Sequence, residues 1–308
     1  MSVENPNLEE AFQNMFEVNT MNCIPVFIVL IVYFLCHHST TKAAARPIMI
    51  QGAMGVETDK MIAALKNPVE KIIHGRRFVS GTYKDVPIVI SVTSIGPVNV
   101  SIATISGIEN FKPAAIINQG TAGAHDPSLH KYDLVIAEKS FHLDAHVTEK
   151  EYPANFSHMK LYGTYFYDSV KKIFDSTIEY PSDEKLIAAA REVLKDYKFG
   201  KVVEGKIATT QSWNRQTEMI NFFREKFGST CEEMETASVA QICKSFDVPF
   251  LGLRVIANSE LNDEKFDANA PEVVELFPGE GQQKNSGITT SEICQKYALE
   301  IVVKAFQK

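Results

Sequence analysis

The stretch VPIVISVTSIGPVNVSIATISGIENFKPAAIINQG (86–120) decides how the rest of the chain is read. Its opening run, VPIVISVTS (86–94), is apolar and rich in β-branched residues, which predicts a strand. Pro97 follows, and proline suits the first turn of a helix because its missing N–H would have no partner there. Apolar residues then recur at Val98, Ile102, Ile105 and Ile108, which predicts a helix over Pro97–Phe111. AAIINQG (114–120) reads as a buried strand running into a glycine-bearing turn. Strand, helix and strand in succession are the unit of an α/β sheet covered by helices.

The same alternation extends in both directions. PIMIQ (47–51) reads as a strand, KIIHGRRFVSGTY (71–83) as a further, partly exposed one, and YDLVIAEKS (132–140) as the next after the central unit. Residues 149–181 are aromatic-rich without clean periodicity and read as a long loop or insertion. Ser182 and Asp183 precede a helix, EKLIAAAREVLKDY; KVVEGKIATTQ (201–211) is a strand, and NRQTEMINFFREKFG (214–228) is a helix stopped by Gly228. TASVAQICKSF (236–246) reads as a helix, DVPFLGLRVIA (247–257) as an apolar strand, and SEICQKYALEIVVKAFQ (291–307) as a closing helix. The polar stretch 258–287 reads as a surface loop at a strand end.

Composition narrows the function classes. The chain has 308 residues, 45% hydrophobic and 22% charged, so it is an ordinary globular sequence. A net charge of −7, with no Lys/Arg block, argues against a nucleic-acid partner. Five cysteines include no C-x-x-C pair, which removes a zinc ribbon or a thioredoxin-like motif, and the three outside the leader cannot pair completely. The leader is residues 1–45. CIPVFIVLIVYFLC (23–36) is an uncharged run of 14 residues, short of the roughly 20 that a spanning helix needs. Small residues at Ala43 and Ala45 form an A-x-A site for cleavage before Arg46, so secretion is expected. Glu4, Glu9, Glu10 and Glu17 depart from a basic signal start, and the alternative is a membrane anchor through 23–36 or a buried apolar helix. Residues 46–308, about 260 in all, suit one domain rather than two.

In open α/β sheets ligands collect beyond the carboxyl ends of strands. There the sequence places Gly52, Met54 and Glu57; Thr93, Ser94 and Gly96; NQGTAGA (118–124); TTQSWN (209–214), with the only tryptophan; CEEMETAS (231–238); and Asn258-Ser259-Glu260. Together they read as a polar ring.

GAMGVET (52–58), TSIGPV (93–98), INQGTAGA (117–124), DLVIAE (133–138), DAHVT (144–148), SWN (212–214), EEMETASVAQIC (232–243) and VPFLGLRVIANSE (248–260) follow the order and spacing of a known family. Over about residues 47–308 the chain resembles the nucleoside phosphorylase superfamily, closest to its methylthioadenosine/S-adenosylhomocysteine nucleosidase branch. The resemblance implies a central mixed β-sheet flanked by helices in a single domain. It also implies cleavage of the N-glycosidic bond of a purine nucleoside, no metal or other cofactor, and a homodimer. By the same resemblance Glu57 orients and deprotonates the attacking water, although a glutamate there would also suit a helix N-terminus. Glu235 holds the ribose hydroxyls as an ionised carboxylate, Met234 packs on the ribose and Glu233 supports the turn, against the plainer reading of a solvated charge cluster. Trp213 packs on the base, where a tryptophan alone would more often be core. Thr93 lines the sugar pocket and Gly96 lets backbone approach the ligand. His142 and Asp144 fall where residues cross the dimer interface, although a surface position is the simpler reading.

Two departures matter. Where the family's nucleosidases carry an aspartate against purine N7, this chain has Asn258, whose amide hydrogen-bonds but cannot give up a proton. Either Glu260 or a water would have to substitute, or the amide reads a 6-oxopurine. The phosphorylases' phosphate-binding arginines are missing from GAMGVET and from VISVTSIG, so water is the expected nucleophile. The expected function is a purine nucleosidase acting on a methylthioadenosine, adenosine or inosine type of substrate. The alternatives are a phosphate-dependent phosphorylase and a non-catalytic nucleoside-binding or storage protein.

Overall fold

Strand β1 (Ile48–Gly52) is the axis of the sheet: it is buried along its whole length and pairs in parallel with β4 (Val86–Val92) and β5 (Ala115–Ala124). The computed structural model describes residues 45–148, 158–264 and 288–307. The leader's apolar run, the first part of the 149–181 segment and most of the 258–287 loop lie outside the described residues.

Beside β5 runs β14 (Phe250–Asn258), parallel to it and buried at every position, with Asn258 opposite Gly123. β12 (Val202–Thr209) is parallel to both β6 (Leu134–His142) and β13 (Ser229–Glu233), while β13 meets β5 and β14 meets β6 in antiparallel fashion. With β2 (Lys66–Ile73), β3 (Arg76–Tyr83) and β11 (Tyr180–Pro181) at the edges, the sheet is ten-stranded and mixed. Its flanking helices are α1 (Asp59–Ala64), α2 (Pro97–Phe111), α3 (Glu184–Leu194), α4 (Thr217–Phe227), α5 (Thr236–Phe246) and α6 (Thr290–Phe306). This is the mixed α/β architecture expected from the sequence. The core on one side joins α3 and α6 to the sheet through residues such as Leu186, Ala190, Ile293 and Ile301. Among the described residues no helix is long and apolar enough to cross a membrane.

Four details differ from the sequence reading. The single strand expected over 71–83 is a hairpin, β2 and β3, because His74 and Gly75 both take positive φ, the geometry of a two-residue turn matched to strand twist. The segment read as a loop over 149–181 holds two small pairs among its described residues: β8 (Lys160–Leu161) against β7 (His146–Val147), and β9 (Thr164–Asp168) against β10 (Ile173–Thr177). β13 went unrecognised because its residues, STCEE, carry almost no apolar pattern. Helix α2 exists, but Val98 (71% exposed), Ile102 and Ile105 face outward, and the helix meets the sheet through Val100, Ala103, Thr104, Gly107 and Ile108. Close approach decides that face: a Cβ at Gly107 would stand 2.4 Å from the Met49 sulfur.

Candidate active site

β1 ends at Gly52 and the chain turns at once into the 3-10 segment Gly55–Glu57. Gln295 of α6 fixes that turn: its Nε2 donates to the Val56 carbonyl at 2.7 Å and its Oε1 accepts from the Lys60 N–H at 2.9 Å. Gln119 of β5 donates to the Glu57 carbonyl at 2.7 Å. The Glu57 side chain, 4% exposed, turns back under the strand ends, where it accepts from Ala53 N–H at 2.8 Å and Thr121 N–H at 3.2 Å. Gly120 makes room for it, because a Cβ there would lie 2.6 Å from Glu57 Oε1.

The end of β4 is bound to the end of β1: Thr93 N–H donates to the Gly52 carbonyl and Ser94 N–H to the Ala53 carbonyl, each at 2.9 Å. Thr93 is fully buried, its hydroxyl turned to the Gly52 carbonyl at 3.3 Å and the Ser94 carbonyl at 3.0 Å. Gly96 caps α2 with φ +95°, a conformation that glycine alone adopts easily, and its N–H donates to Glu235 Oε1 at 2.7 Å. The Glu235 carboxyl therefore occupies the positive end of a 15-residue helix. A Cβ at Gly96 would meet the Gln211 side chain at 3.0 Å.

Glu233 and Glu235 leave the end of β13 in opposite electrostatic states. Glu233 is ion-paired with Arg254 and accepts from Thr209 Oγ1, from Glu235 N–H at 2.9 Å and from Thr236 N–H at 2.9 Å. Burial alone would raise its affinity for a proton, but the Arg254 guanidinium and these donors outweigh it and hold the carboxyl below the usual carboxylate range. For Glu235, burial and then the Glu233 charge push the carboxyl up to about 8, with a smaller upward push from Glu57. Met234, between them, is half-buried.

Arg254 is the residue that sequence reasoning missed. Its guanidinium is buried among the strands and, besides Glu233, donates to the Asn118 carbonyl at 3.0 Å, to the Asn118 side chain and to the Leu253 carbonyl at 2.9 Å. The signal was present: a single charge inside the apolar run LGLRVIA has to be paired if it is buried.

Asn258 ends β14, buried, with its side-chain amide against Gly123, where a Cβ would lie 3.3 Å from Nδ2. Glu260, two residues on, pairs with Arg215 at 3.1 Å. Trp213 is not core: it is 54% exposed in the segment between β12 and α4. Asp144 accepts from Thr210 Oγ1 at 2.7 Å and Gln211 N–H at 2.8 Å, and so shapes that segment. His142 shares a hydrogen bond with Gln241 at 2.9 Å, and burial holds its imidazole below the usual histidine range. The glutamates read alternatively as a solvated cluster are all buried.

These groups gather at the ends of β1, β4, β13 and β14 and along β5: buried carboxyl groups and, at the end of β14, an amide. The family model described as "Phosphorylase superfamily" matches residues 47–279, and the chain belongs to that superfamily. The 5′-methylthioadenosine/S-adenosylhomocysteine nucleosidase of Bacillus velezensis is 30% identical over 225 residues, covering 71% of this chain and 90% of that one. The enzyme of the same name from Anoxybacillus flavithermus is 32% identical over 212 residues, covering 68% and 84%. Among solved structures, a futalosine hydrolase mutant of Helicobacter pylori superposes with a TM-score of 0.64 at 26% identity, over 84% of this chain and 99% of that one.

Proposed function

We propose that this chain is a purine nucleoside N-ribosyl hydrolase that releases the free base by attack of water at C1′. The observation that carries the reading is the pair of buried carboxyl groups, Glu57 and Glu235. They come from different strand ends, are aimed by backbone N–H groups, and lie close enough for the charge of one to act on the other. The relatives named nucleosidases support the class of reaction.

In this reading Glu57 takes a proton from the attacking water as the C1′–O bond forms and the glycosidic C–N bond breaks. Glu235 binds the ribose hydroxyls, and Met234, Thr93 and Gly96 line the sugar. The positive charge that develops on the sugar ring is met by the carboxylates beneath it. Asn258 hydrogen-bonds the purine and Trp213 packs on it. The proton that the departing base needs comes from solvent, because an amide has none to transfer. Glu233, locked to Arg254, holds the turn that presents Glu235. Hydrolysis rather than phosphorolysis is supported by GAMGVET and VISVTSIG, neither of which carries an arginine of the kind that holds phosphate in the phosphorylases.

Secretion after cleavage before Arg46 and assembly as a homodimer belong to the same proposal. The A-x-A pattern at Ala43–Ala45 supports the first, and the exposed apolar stripe Val98–Ile102–Ile105 supports the second. The deciding experiment is release of adenine or hypoxanthine from methylthioadenosine, adenosine and inosine, in phosphate-free buffer and in phosphate. Equal rates in both buffers are expected. A strict phosphate requirement would make the protein a phosphorylase, and nucleoside binding without turnover would make it a binding protein.

A further inference from the structure

The segment Thr210–Gln216 joins β12 to α4 without regular structure, yet side chains from three other places hold it. Asp144 takes Thr210 and Gln211, and Glu260 takes Arg215. Glu232 takes Asn214 at both oxygens, from its N–H at 3.1 Å and its Nδ2 at 2.7 Å. The three ties are not equal. Asp144 is exposed and the Arg215 side chain of the second tie is 60% exposed, so water competes for both. The Glu232 side chain is only 7% exposed, and charge-assisted hydrogen bonds to a buried carboxylate are the stronger kind.

Glu232 is itself fixed from behind. His125 Nε2 stands 3.5 Å from its Oε2, His125 Nδ1 shares a hydrogen bond with Ser229 Oγ at 2.7 Å, and the imidazole stacks on Phe223. Successive residues of a strand point to opposite sides. At the end of β13 that alternation sends Glu232 to the Trp213 segment and Glu233 to Arg254. One strand end thus serves both ends of the pocket.

We propose that Glu232 is a positioning residue that sets the Trp213 wall of the pocket through Asn214. The proposal rests on the reading that Trp213 packs on the purine. Glu232 acts on the base side alone, because neither Glu57 nor the Gly96–Glu235 contact involves it.

Trp213 is the only tryptophan of the chain, so its emission reports this wall directly. The test uses the full chain with Glu232→Gln and Asn214→Ala, adenine and hypoxanthine as probes of base binding, and steady-state hydrolysis. Both variants are expected to shift the Trp213 emission, to weaken binding of the base about tenfold and to raise KM by a similar factor, with kcat changed less than about threefold. Asn214 is half-buried at the pocket rim, so Asn214→Ala keeps the test open should Glu232→Gln fail to fold. Emission and base affinity equal to wild type in a folded variant would overturn the proposal, as would a fall in kcat at unchanged KM. A wild-type chain that neither binds base nor releases it would instead remove the nucleosidase reading, and this proposal with it. Normal wild-type binding and turnover, matched by both variants, would remove only the role of Glu232.

Discussion

In the proposed reading the site has a ribose end and a base end, built by different means. The ribose end is made of buried charges fastened to backbone: Glu57 on Ala53 and Thr121, Glu235 on Gly96, Glu233 on Arg254. The base end is made of a neutral amide, Asn258, and a half-exposed indole on a segment tied down by carboxylates. Groups locked in a low-dielectric site fix one geometry, and they are costly to disturb. A wall carried by an irregular segment can be re-set by single substitutions without loss of the fold. In the proposed reading the ribose end therefore carries the chemistry and much of the stability, while the base end carries the choice of base.

Substitution at Arg254 breaks the ribose end hardest. Arg254→Leu leaves Glu233 buried without its partner, and such losses cost about 3–5 kcal/mol, a large part of the stability of a typical domain. Denaturant unfolding is expected to show a midpoint far below wild type, with Glu233→Gln in the same chain recovering part of it. Equal midpoints would mean that the ion pair contributes nothing. Asn258→Asp sharpens the other end. Supplying a group that can protonate the departing base is expected to raise kcat on adenosine-type nucleosides by about 10²-fold, with the unfolding midpoint little changed. An unchanged kcat would show that base protonation does not limit the rate.

The smallest effect is a proton count. Burial and the neighbouring Glu233 charge push the Glu235 carboxyl up to about 8. Ribose hydroxyls that donate to it favour its ionised form and lower that value, so nucleoside binding releases a proton below about pH 8. Affinity should accordingly rise as pH increases toward 8 and level off above it. Calorimetry at pH 7 in buffers of different ionisation enthalpy measures the release directly. Proton uptake, or affinity that falls over that window, would contradict the assignment of Glu235 to the sugar.

The contrast between the two ends also explains what could be read from the sequence. The frame of β1, β4, α2 and β5 was legible because long apolar runs separated by a proline-started helix admit one arrangement. Glu57 was legible as a candidate because it stands just past a strand, and Glu233 and Glu235 because EEMETAS, ahead of a helix, matches the family's pattern. The opposite directions in which their surroundings shift them were not, since these depend on Arg254, which sits 21 positions beyond Glu233 and meets it only through the sheet. The outward face of α2 was hidden for a related reason: small residues at Ala103 and Gly107 let the helix approach Met49, and closeness outweighed the apolar stripe. Trp213 carried a signal of residue type but none of exposure, and the ties of its segment to Asp144, Glu232 and Glu260 come from three distant parts of the chain.

The most direct test of the central claim is Glu57→Gln, assayed for base release and for nucleoside binding on the same preparation. Removal of the general base while the ribose and base contacts stay in place is expected to lower kcat by about 10²–10⁴-fold with nucleoside affinity close to wild type. Full hydrolysis by the folded Glu57→Gln protein would contradict the assignment of Glu57 as the group that activates water.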